Sequence, residues 1–153
     1  MSNQIIIADT SCLIGLKNIN QIGLLKQLYD KITITNEIRD EFSEVLPEWI
    51  VVENVTDRVR LSILELELDK GEASAIALAL ENSNSLLIID EGKGRRVAAR
   101  LGIKKIGTLG VFIQAKEKGI VTQIEPLIRN LKKVDFRISD KLVEGILKRV
   151  GER

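Results

Sequence analysis

Residues 5–11, IIIADTS, form an apolar run that ends in a carboxylate, and residues 86–91, LLIIDE, repeat that arrangement in mid-chain. Both runs are short and rich in isoleucine and leucine, which predicts two buried β-strands. In an open parallel sheet, ligands bind outside the carboxyl ends of the strands. We therefore expect Asp9 and Asp90 to meet at one sheet edge, where convergent acids without histidine suggest a divalent metal.

The composition narrows the classes of protein. The 153 residues are 44% hydrophobic, which predicts a single domain over 1–153. The absence of histidine and the single cysteine, Cys12, argue against zinc enzymes and against Ser-His or Cys-His catalysis. Cys12 has apolar neighbours, so we expect a buried structural residue rather than a nucleophile. A net charge of +1 means that a polyanionic ligand needs a local basic patch.

The chain also lacks the patterns of a membrane or secreted protein. No apolar run approaches the roughly 20 residues that span a bilayer. The N-terminus has no basic segment that leads into a long apolar one. We therefore expect a cytoplasmic protein with no membrane partner.

The alternation of apolar runs with amphipathic segments predicts an α/β domain. Strands are expected at residues 4–8, 32–34, 50–52, 86–89 and 105–106. Helices are expected at residues 21–29, 72–81, 93–101, 108–118 and 139–150. Three more are expected to begin at Thr10 or Ser11, at 35 or 36 (ending at 45), and at 56 or 57. Gly71 is expected to separate the last of these from the helix at 72–81. Right-handed crossovers place helices on both faces, which predicts a three-layer α/β/α fold with a mainly parallel sheet of four to five strands. The amphipathic helix at 139–150 is expected to pack on the domain or on a partner.

Two acids on the predicted helices extend the candidate site. Glu41 follows strand two, with Glu37 one turn earlier on the same face, and Glu72 opens the helix that leads into strand four. With Asp9 and Asp90 they would form a carboxylate cluster, which is unfavourable unless cations neutralise it or some members are protonated. Mg²⁺ or Mn²⁺ suits such oxygen ligands and supports attack of water on phosphorus.

The order of these motifs resembles the PIN-domain proteins, the metal-dependent nuclease fold that includes the VapC-type toxins. The matching segments are residues 7–11 (IADTS), 38–41 (IRDE), 71–77 (GEASAIA) and 87–91 (LIIDE). Within that fold, the chain is most similar to an uncharacterised prokaryotic PIN-like branch that shares the GEASA helix start and residues 107–111, GTLGV. The resemblance covers nearly the whole chain.

The resemblance implies a function and a set of site residues. It implies a Mg²⁺ or Mn²⁺ site built from Asp9, Glu41, Glu72 and Asp90, and cleavage of single-stranded RNA that leaves a 3′ hydroxyl and a 5′ phosphate. It also implies a homodimer and a small antitoxin partner. The spacing of residues 38–41 favours Glu41 over Glu37, which stays the alternative ligand. Many toxin-type members carry aspartate where this chain has Glu72, and the longer side chain would place the metal differently.

Further residues are candidates for supporting roles. Thr10, Ser11, Glu91 and Thr108 would orient waters or ligand carboxylates, although hydroxyls at helix starts are commonly caps. A basic segment follows Asp90 directly and would bind RNA phosphates, or would form a solvated helix face. Its candidate RNA-binding residues are Lys93, Arg95, Arg96 and Arg100. Aromatic residues make up only 3% of the chain, so extensive base stacking is not expected.

Each acid also has a purely structural interpretation. Asp9 and Asp90 are typical turn or cap residues, Glu72 complements a helix dipole, and Glu41 suits a solvated helix face. The alternative function is a catalytically inactive PIN-like scaffold that binds RNA or a protein partner. A receiver-type phosphotransfer domain also gathers acids at strand ends, but no acidic pair follows strand one here.

Overall fold

Five parallel strands form the central sheet in the computed structural model, which describes residues 4–153. The strands are β1 (Ile5–Ala8), β2 (Ile32–Ile34), β3 (Ile50–Val52), β4 (Ser85–Ile88) and β5 (Lys105–Ile106). They lie in the order β3-β2-β1-β4-β5, and every pairing is parallel. The expected strands and the expected parallel sheet are confirmed, with β4 beginning and ending one residue earlier than predicted.

The helices within residues 4–153 complete a three-layer α/β/α fold. They are α1 (Thr10–Asn18), α2 (Gly23–Tyr29), α3 (Asn36–Phe42), α4 (Arg58–Leu64), α5 (Lys70–Leu80), α6 (Gly92–Arg100), α7 (Thr108–Glu117), α8 (Glu125–Lys133) and α9 (Asp140–Arg149). No helix of the described chain is long and apolar enough to cross a membrane.

The middle of the sheet is buried on both faces. Ile7 of β1 and Leu87 and Ile88 of β4 are fully buried, as the near-continuous apolar runs of parallel strands require. Helix α5 is rich in alanine and packs closely on α3, α4 and β1. Small side chains at this contact let the helix backbone lie near the sheet, which brings its N-terminus to the carboxyl edge of the strands.

The strand order places a topological switch point between β1 and β4. From β1 the chain runs outward through β2 and β3, and then crosses to β4 on the other side of β1. Ala8 pairs with Ile88 at the carboxyl ends of these strands, and the Asp9 N–H donates to Ile88 O at 3.0 Å. Such a crevice is the usual ligand site of open α/β sheets.

Several element boundaries differ from the sequence prediction. Helix α5 begins at Lys70 with Asp69 as its N-cap, so Gly71 lies inside the helix and does not separate two helices. Helix α3 ends at Phe42 rather than at 45, because Ser43 adopts the left-handed conformation (φ 52°) that closes a helix.

Two further helices differ from the expectations. The helix at Glu125–Lys133 was not predicted, and Pro126 lies in its first turn, where proline is tolerated. Helix α4 leaves much of its apolar surface exposed: Val59 and Ile63 are exposed and only Leu61 of that helix is buried. Helix α9 packs on its own domain through the fully buried Leu147.

Candidate active site

Five carboxylates lie around one cavity of about 410 Å³ at the carboxyl edge of the sheet. We call this cavity the acidic pocket. Its acidic residues are Asp9, Glu41, Asp69, Glu72 and Glu91, and Thr10, Ser11 and Ile14 also line it. Three of the four predicted metal ligands are therefore together, and sequence reasoning missed Asp69.

Most of these carboxylates accept hydrogen bonds from the starts of helices. Asp9 caps α1 and accepts from Thr10 N at 2.8 Å. Asp69 caps α5 and accepts from Glu72 N at 2.8 Å, while Glu72 accepts in return from Asp69 N. Glu91 caps α6 and accepts from the N–H groups of Lys93 and Gly94. The interpretation of these acids as helix caps is therefore correct. It also explains why they lie together, because several helix N-termini meet at this edge of the sheet.

Asp90 lies beside the acidic pocket and does not line it. Its Oδ1 accepts from Thr108 N at 2.8 Å and its Oδ2 from Thr108 Oγ1 at 2.6 Å. Thr108 is fully buried at the start of α7. The charge of Asp90 contributes to the raised pKa of Asp9, so the two strand-end acids interact electrostatically. Thr108 therefore holds Asp90 in place, while Glu91, the next residue, turns into the acidic pocket.

The geometry separates the two glutamates of α3. Glu41 Oε1 accepts from Thr10 Oγ1 at 2.6 Å, inside the acidic pocket. Glu37 instead pairs with Arg58 of α4 at 3.5 Å, and its Oε1 is buried without a hydrogen-bond partner among residues 4–153. The structure thus places Glu41, and not the alternative Glu37, with the other acids.

The pocket holds an excess of negative charge. Within residues 4–153, none of its five carboxylates forms an ion pair with lysine or arginine. Burial and the nearby carboxylates Asp69, Glu41 and Asp90 raise the pKa of Asp9 to about 7. Burial and the acids around Glu72 raise its pKa to about 8. Water solvates the exposed carboxylates Glu41, Asp69 and Glu91, whereas the charges of the buried Asp9 and Glu72 favour protons or bound cations.

Glu72 and Glu91 differ in which ionisation state their surroundings favour. Burial, together with the negative charges of Asp69, Glu91 and Asp9, raises the pKa of Glu72. Burial alone would also raise the pKa of Glu91, but the N–H groups of Gly94 and Lys93 and the charge of Arg96 hold it below the ordinary value. The pocket therefore favours the neutral form at Glu72 and the carboxylate at Glu91.

The carboxylate oxygens of the acidic pocket are suitable ligands for a hard divalent cation, although these side chains do not all point to one ion position. Oxygen ligands from unpaired, mutually repelling carboxylates are what Mg²⁺ and Mn²⁺ prefer. Across residues 4–153, however, no group of three or more acidic or sulfur-bearing side chains is arranged to hold an ion. The hydrogen bonds to helix N-termini hold Asp9, Asp69 and Glu91 in other orientations, so these side chains have to turn to share an ion.

The basic residues after Asp90 have different surroundings. Arg95 is half-buried, and its Nη1 donates to Ile89 O at 2.7 Å in a second cavity that Asp90 also lines. Lys93 and Arg96 are exposed, with Arg96 close enough to Glu91 to lower its pKa. Arg100 pairs with Glu67 at 3.6 Å. Three of the four predicted RNA-binding residues thus lie near the acids without ion pairs in the described chain.

Cys12 does not contribute a reactive group. It is fully buried, and burial together with the charges of Asp90 and Asp9 raises its thiol pKa. The thiolate needed for nucleophilic attack is therefore suppressed. This agrees with the expectation of a structural cysteine.

Fold and site together define an all-parallel α/β protein with an acidic pocket at its switch point. The chain matches the PIN-domain family DUF3368 over residues 5–152 and belongs to that family. The PIN domain is a nuclease-type fold that typically uses divalent metals. No curated protein and no solved structure gave a significant match to the chain.

Proposed function

We propose that the protein is a Mg²⁺- or Mn²⁺-dependent ribonuclease that hydrolyses phosphodiester bonds of single-stranded RNA. The observation that carries the proposal is the acidic pocket, whose five carboxylates form no ion pair with lysine or arginine within the described chain. A purely structural set of caps has no need to concentrate so much unpaired charge at one place. Because the chain belongs to a nuclease-type family, a role for this negative charge in binding divalent metal ions is the interpretation that we favour.

The residues proposed to hold the metal are Asp9, Glu41, Glu72 and Asp90, with Asp69 as an additional ligand candidate. A bound Mg²⁺ or Mn²⁺ supplies positive charge that stabilises the developing charge on a phosphoryl group and favours deprotonation of water. Thr10 positions Glu41 through its hydroxyl, and Thr108 positions Asp90 through two hydrogen bonds. These contacts reduce the freedom of the side chains before a substrate arrives.

The reaction assigned to the site is hydrolysis. A water oxygen forms a bond to phosphorus, the bond from phosphorus to the 3′ oxygen breaks, and the products are a 3′ hydroxyl and a 5′ phosphate. The attacking water gives up one proton and the departing 3′ oxygen takes one up, so the step balances without a net proton from the protein. Lys93, Arg95 and Arg96 are proposed to bind neighbouring phosphates.

A cleavage assay tests this proposal. Purified protein is incubated with single-stranded RNA and Mn²⁺, and wild type is compared with Asp9→Asn and Asp90→Asn. Asp40→Asn is the control, because Asp40 is exposed, precedes Glu41 and lies outside the acidic pocket. We expect cleavage by wild type and the control, and at least about a hundredfold loss in the two site variants. Equal cleavage by all four proteins, or none across several RNAs and both metals, would refute the catalytic claim.

A second candidate function is an inactive PIN-like scaffold that binds RNA or a protein partner. The observation in its favour is that, among residues 4–153, no three acidic side chains are grouped around one ion position. Such a scaffold would bind RNA equally well with and without Mn²⁺ and would show no stabilisation by the metal. The toxin role, the small antitoxin and the homodimer stay predictions; toxicity on expression that a neighbouring gene product relieves would test the toxin role.

A further inference from the structure

A second cavity adjoins the acidic pocket on the far side of Asp90. It encloses about 390 Å³ between the start of α7 and the segment that leads into α9. We call it the C-terminal cleft, and its lining residues are Asp90, Arg95, Lys105, Ile106, Gly107, Leu109, Gly110, Phe136, Arg137, Ile138, Leu142 and Ile146. Asp90 lines this cleft and the next residue, Glu91, lines the acidic pocket, so one short segment of the chain contributes to both cavities.

The cleft holds more basic than acidic side chains. Among residues 4–153, only Arg95, Lys105 and Lys116 are half-buried basic residues, and all the others are exposed. Lys116 pairs with Glu152 at 2.8 Å. Lys105 and the exposed Arg137 line the cleft and form no ion pair in the described chain, whereas Arg95, which also lines it, lies close enough to Asp90 to lower the pKa of that acid. Three basic side chains against one carboxylate leave an excess of positive charge that favours an anionic ligand.

The opposite wall of the cleft is apolar. Leu109, Phe136, Ile138 and Leu142 line it. The Phe136 ring is held against α1, where Gly15 leaves room for it: a Cβ at Gly15 would lie 3.0 Å from Phe136 Cδ2. A fixed ring and aliphatic side chains offer a flat surface on which a nucleobase can stack.

We propose that the C-terminal cleft binds one nucleotide of the RNA next to the phosphate that is cleaved. The phosphate of this nucleotide contacts Arg95, Lys105 and Arg137, and its base lies against Phe136 and the aliphatic wall. The volume suits a ligand of this size, since small-molecule sites begin at about 300 Å³. The inference rests on the proposed function, because it is the acidic pocket next to the cleft that makes RNA the relevant polyanion.

Binding measurements separate this inference from catalysis. Fluorescence anisotropy with a labelled single-stranded RNA is measured in the non-cleaving Asp9→Asn background, without metal. Lys105→Ala and Arg137→Ala are each expected to weaken binding about tenfold. The matched controls Lys118→Ala and Arg149→Ala remove exposed charges outside the cleft and should change affinity by less than about twofold. Equal affinities of cleft and control variants would overturn the inference, whether or not wild type cleaves RNA.

A competition experiment tests the base contact. Adenosine or uridine 5′-monophosphate should displace the labelled RNA at a concentration roughly tenfold lower than ribose 5-phosphate, because stacking adds to phosphate binding. Phe136→Leu, checked for folding by circular dichroism, should reduce that advantage, and Lys105→Ala should weaken all these competitors alike. If no nucleotide displaces RNA, the cleft takes a different ligand, such as an apolar peptide, and the inference is wrong. Cleft-dependent binding by a wild type that never cleaves RNA would refute the proposed function alone.

Discussion

Gly71 in the first turn of α5 lies directly against the Glu41 carboxyl group. A Cβ built on Gly71 would fall 2.8 Å from Glu41 Cδ and closer still to its Oε1. The backbone of Gly71 has an ordinary helical conformation, so the glycine is needed for space and not for an unusual φ. A hydrogen atom in place of a methyl group is what allows a carboxylate from α3 to reach the acidic pocket.

Gly71→Ala should therefore damage the site while sparing the fold. Alanine is favoured over glycine inside a helix by about 1 kcal/mol, which offsets part of the cost of displacing the exposed Glu41 side chain. We expect the free energy of unfolding to change by less than about 1 kcal/mol, whereas RNA cleavage falls at least roughly tenfold because Glu41 is moved. Urea denaturation and initial cleavage rates give the two values.

Gly145→Ala is the matched control for this substitution. Gly145 lies in the middle of α9, and a Cβ there meets nothing within 4 Å. The variant should be more stable than wild type by about 0.5–1 kcal/mol and should cleave RNA normally. Full activity in Gly71→Ala would mean that Glu41 is not needed in its observed position.

The contribution of Asp9 and Glu72 to the stability of the metal-free protein should fall as the pH rises. An acid whose pKa is raised by folding keeps its proton in the folded state after the unfolded chain has lost it, so folding is penalised above the unfolded-state pKa. For Asp9 the window runs from the ordinary value of 3.8 to about 7, and for Glu72 it runs from 4.5 to about 8. The contribution of these two acids is most favourable below pH 4, is lost between pH 4 and 8, and changes little above that.

Asp9→Asn isolates one part of this effect. Asparagine is also a good N-cap, so α1 keeps its start, while the buried charge is removed. Relative to wild type in EDTA, the variant should gain roughly 2–4 kcal/mol between pH 4 and pH 8. Denaturant titrations at several pH values measure this difference, with Asp40→Asn as an exposed control that should follow the wild-type profile. A constant difference between Asp9→Asn and wild type over this range would show that Asp9 is ionised throughout.

The Thr108 hydroxyl should orient Asp90 through its hydrogen bond, and not only through packing. Thr108→Val keeps the shape and the backbone N–H bond but removes the 2.6 Å bond from Oγ1 to Asp90 Oδ2. Leaving a buried carboxylate oxygen unpaired costs about 1–3 kcal/mol in stability. Cleavage should fall about tenfold as Asp90 loses its fixed orientation. Thr108→Ser retains the hydroxyl and should recover most of the cleavage rate; equally low rates in both variants would point to packing instead.

Much of the fold follows from local sequence signals, whereas the details of the site depend on distant residues. The β2 and β3 strands were predicted to the residue, because branched side chains in short runs have few alternatives to a buried strand. Helix periodicity alone does not separate Glu37 from Glu41, since residues four apart share a helix face, and the preference for Glu41 rests on the resemblance to PIN-domain proteins. What separates them is Arg58, which pairs with Glu37 from another helix.

Asp69 is a different case, because a local signal for it was present. The pattern Asp69-x-x-Glu72 is a capping box, which marks a helix start at Asp69, and the structure contains both of its hydrogen bonds. Reading Gly71 as a helix separator hid that pattern. Which of the consecutive acids Asp90 and Glu91 turns into the acidic pocket, by contrast, depends on the fully buried Thr108, eighteen residues later.

Metal binding should compete with protonation of Glu72, whose pKa is raised by burial and by the neighbouring acids. Because an ion on Glu72 requires its carboxylate form, and the pKa of Glu72 is about 8, the affinity for Mn²⁺ should rise with pH between 6 and 9. At a Mn²⁺ concentration about 100 times the Kd, wild type should gain about 2.7 kcal/mol, or roughly 5–10 °C in melting temperature. Glu72→Gln should bind more weakly and with a shallower pH dependence, and Asp40→Asn should match wild type. Thermal melts over a Mn²⁺ titration at pH 6, 7.5 and 9 measure these effects, and a shift of equal size at every pH would mean that no proton leaves Glu72 when the metal binds.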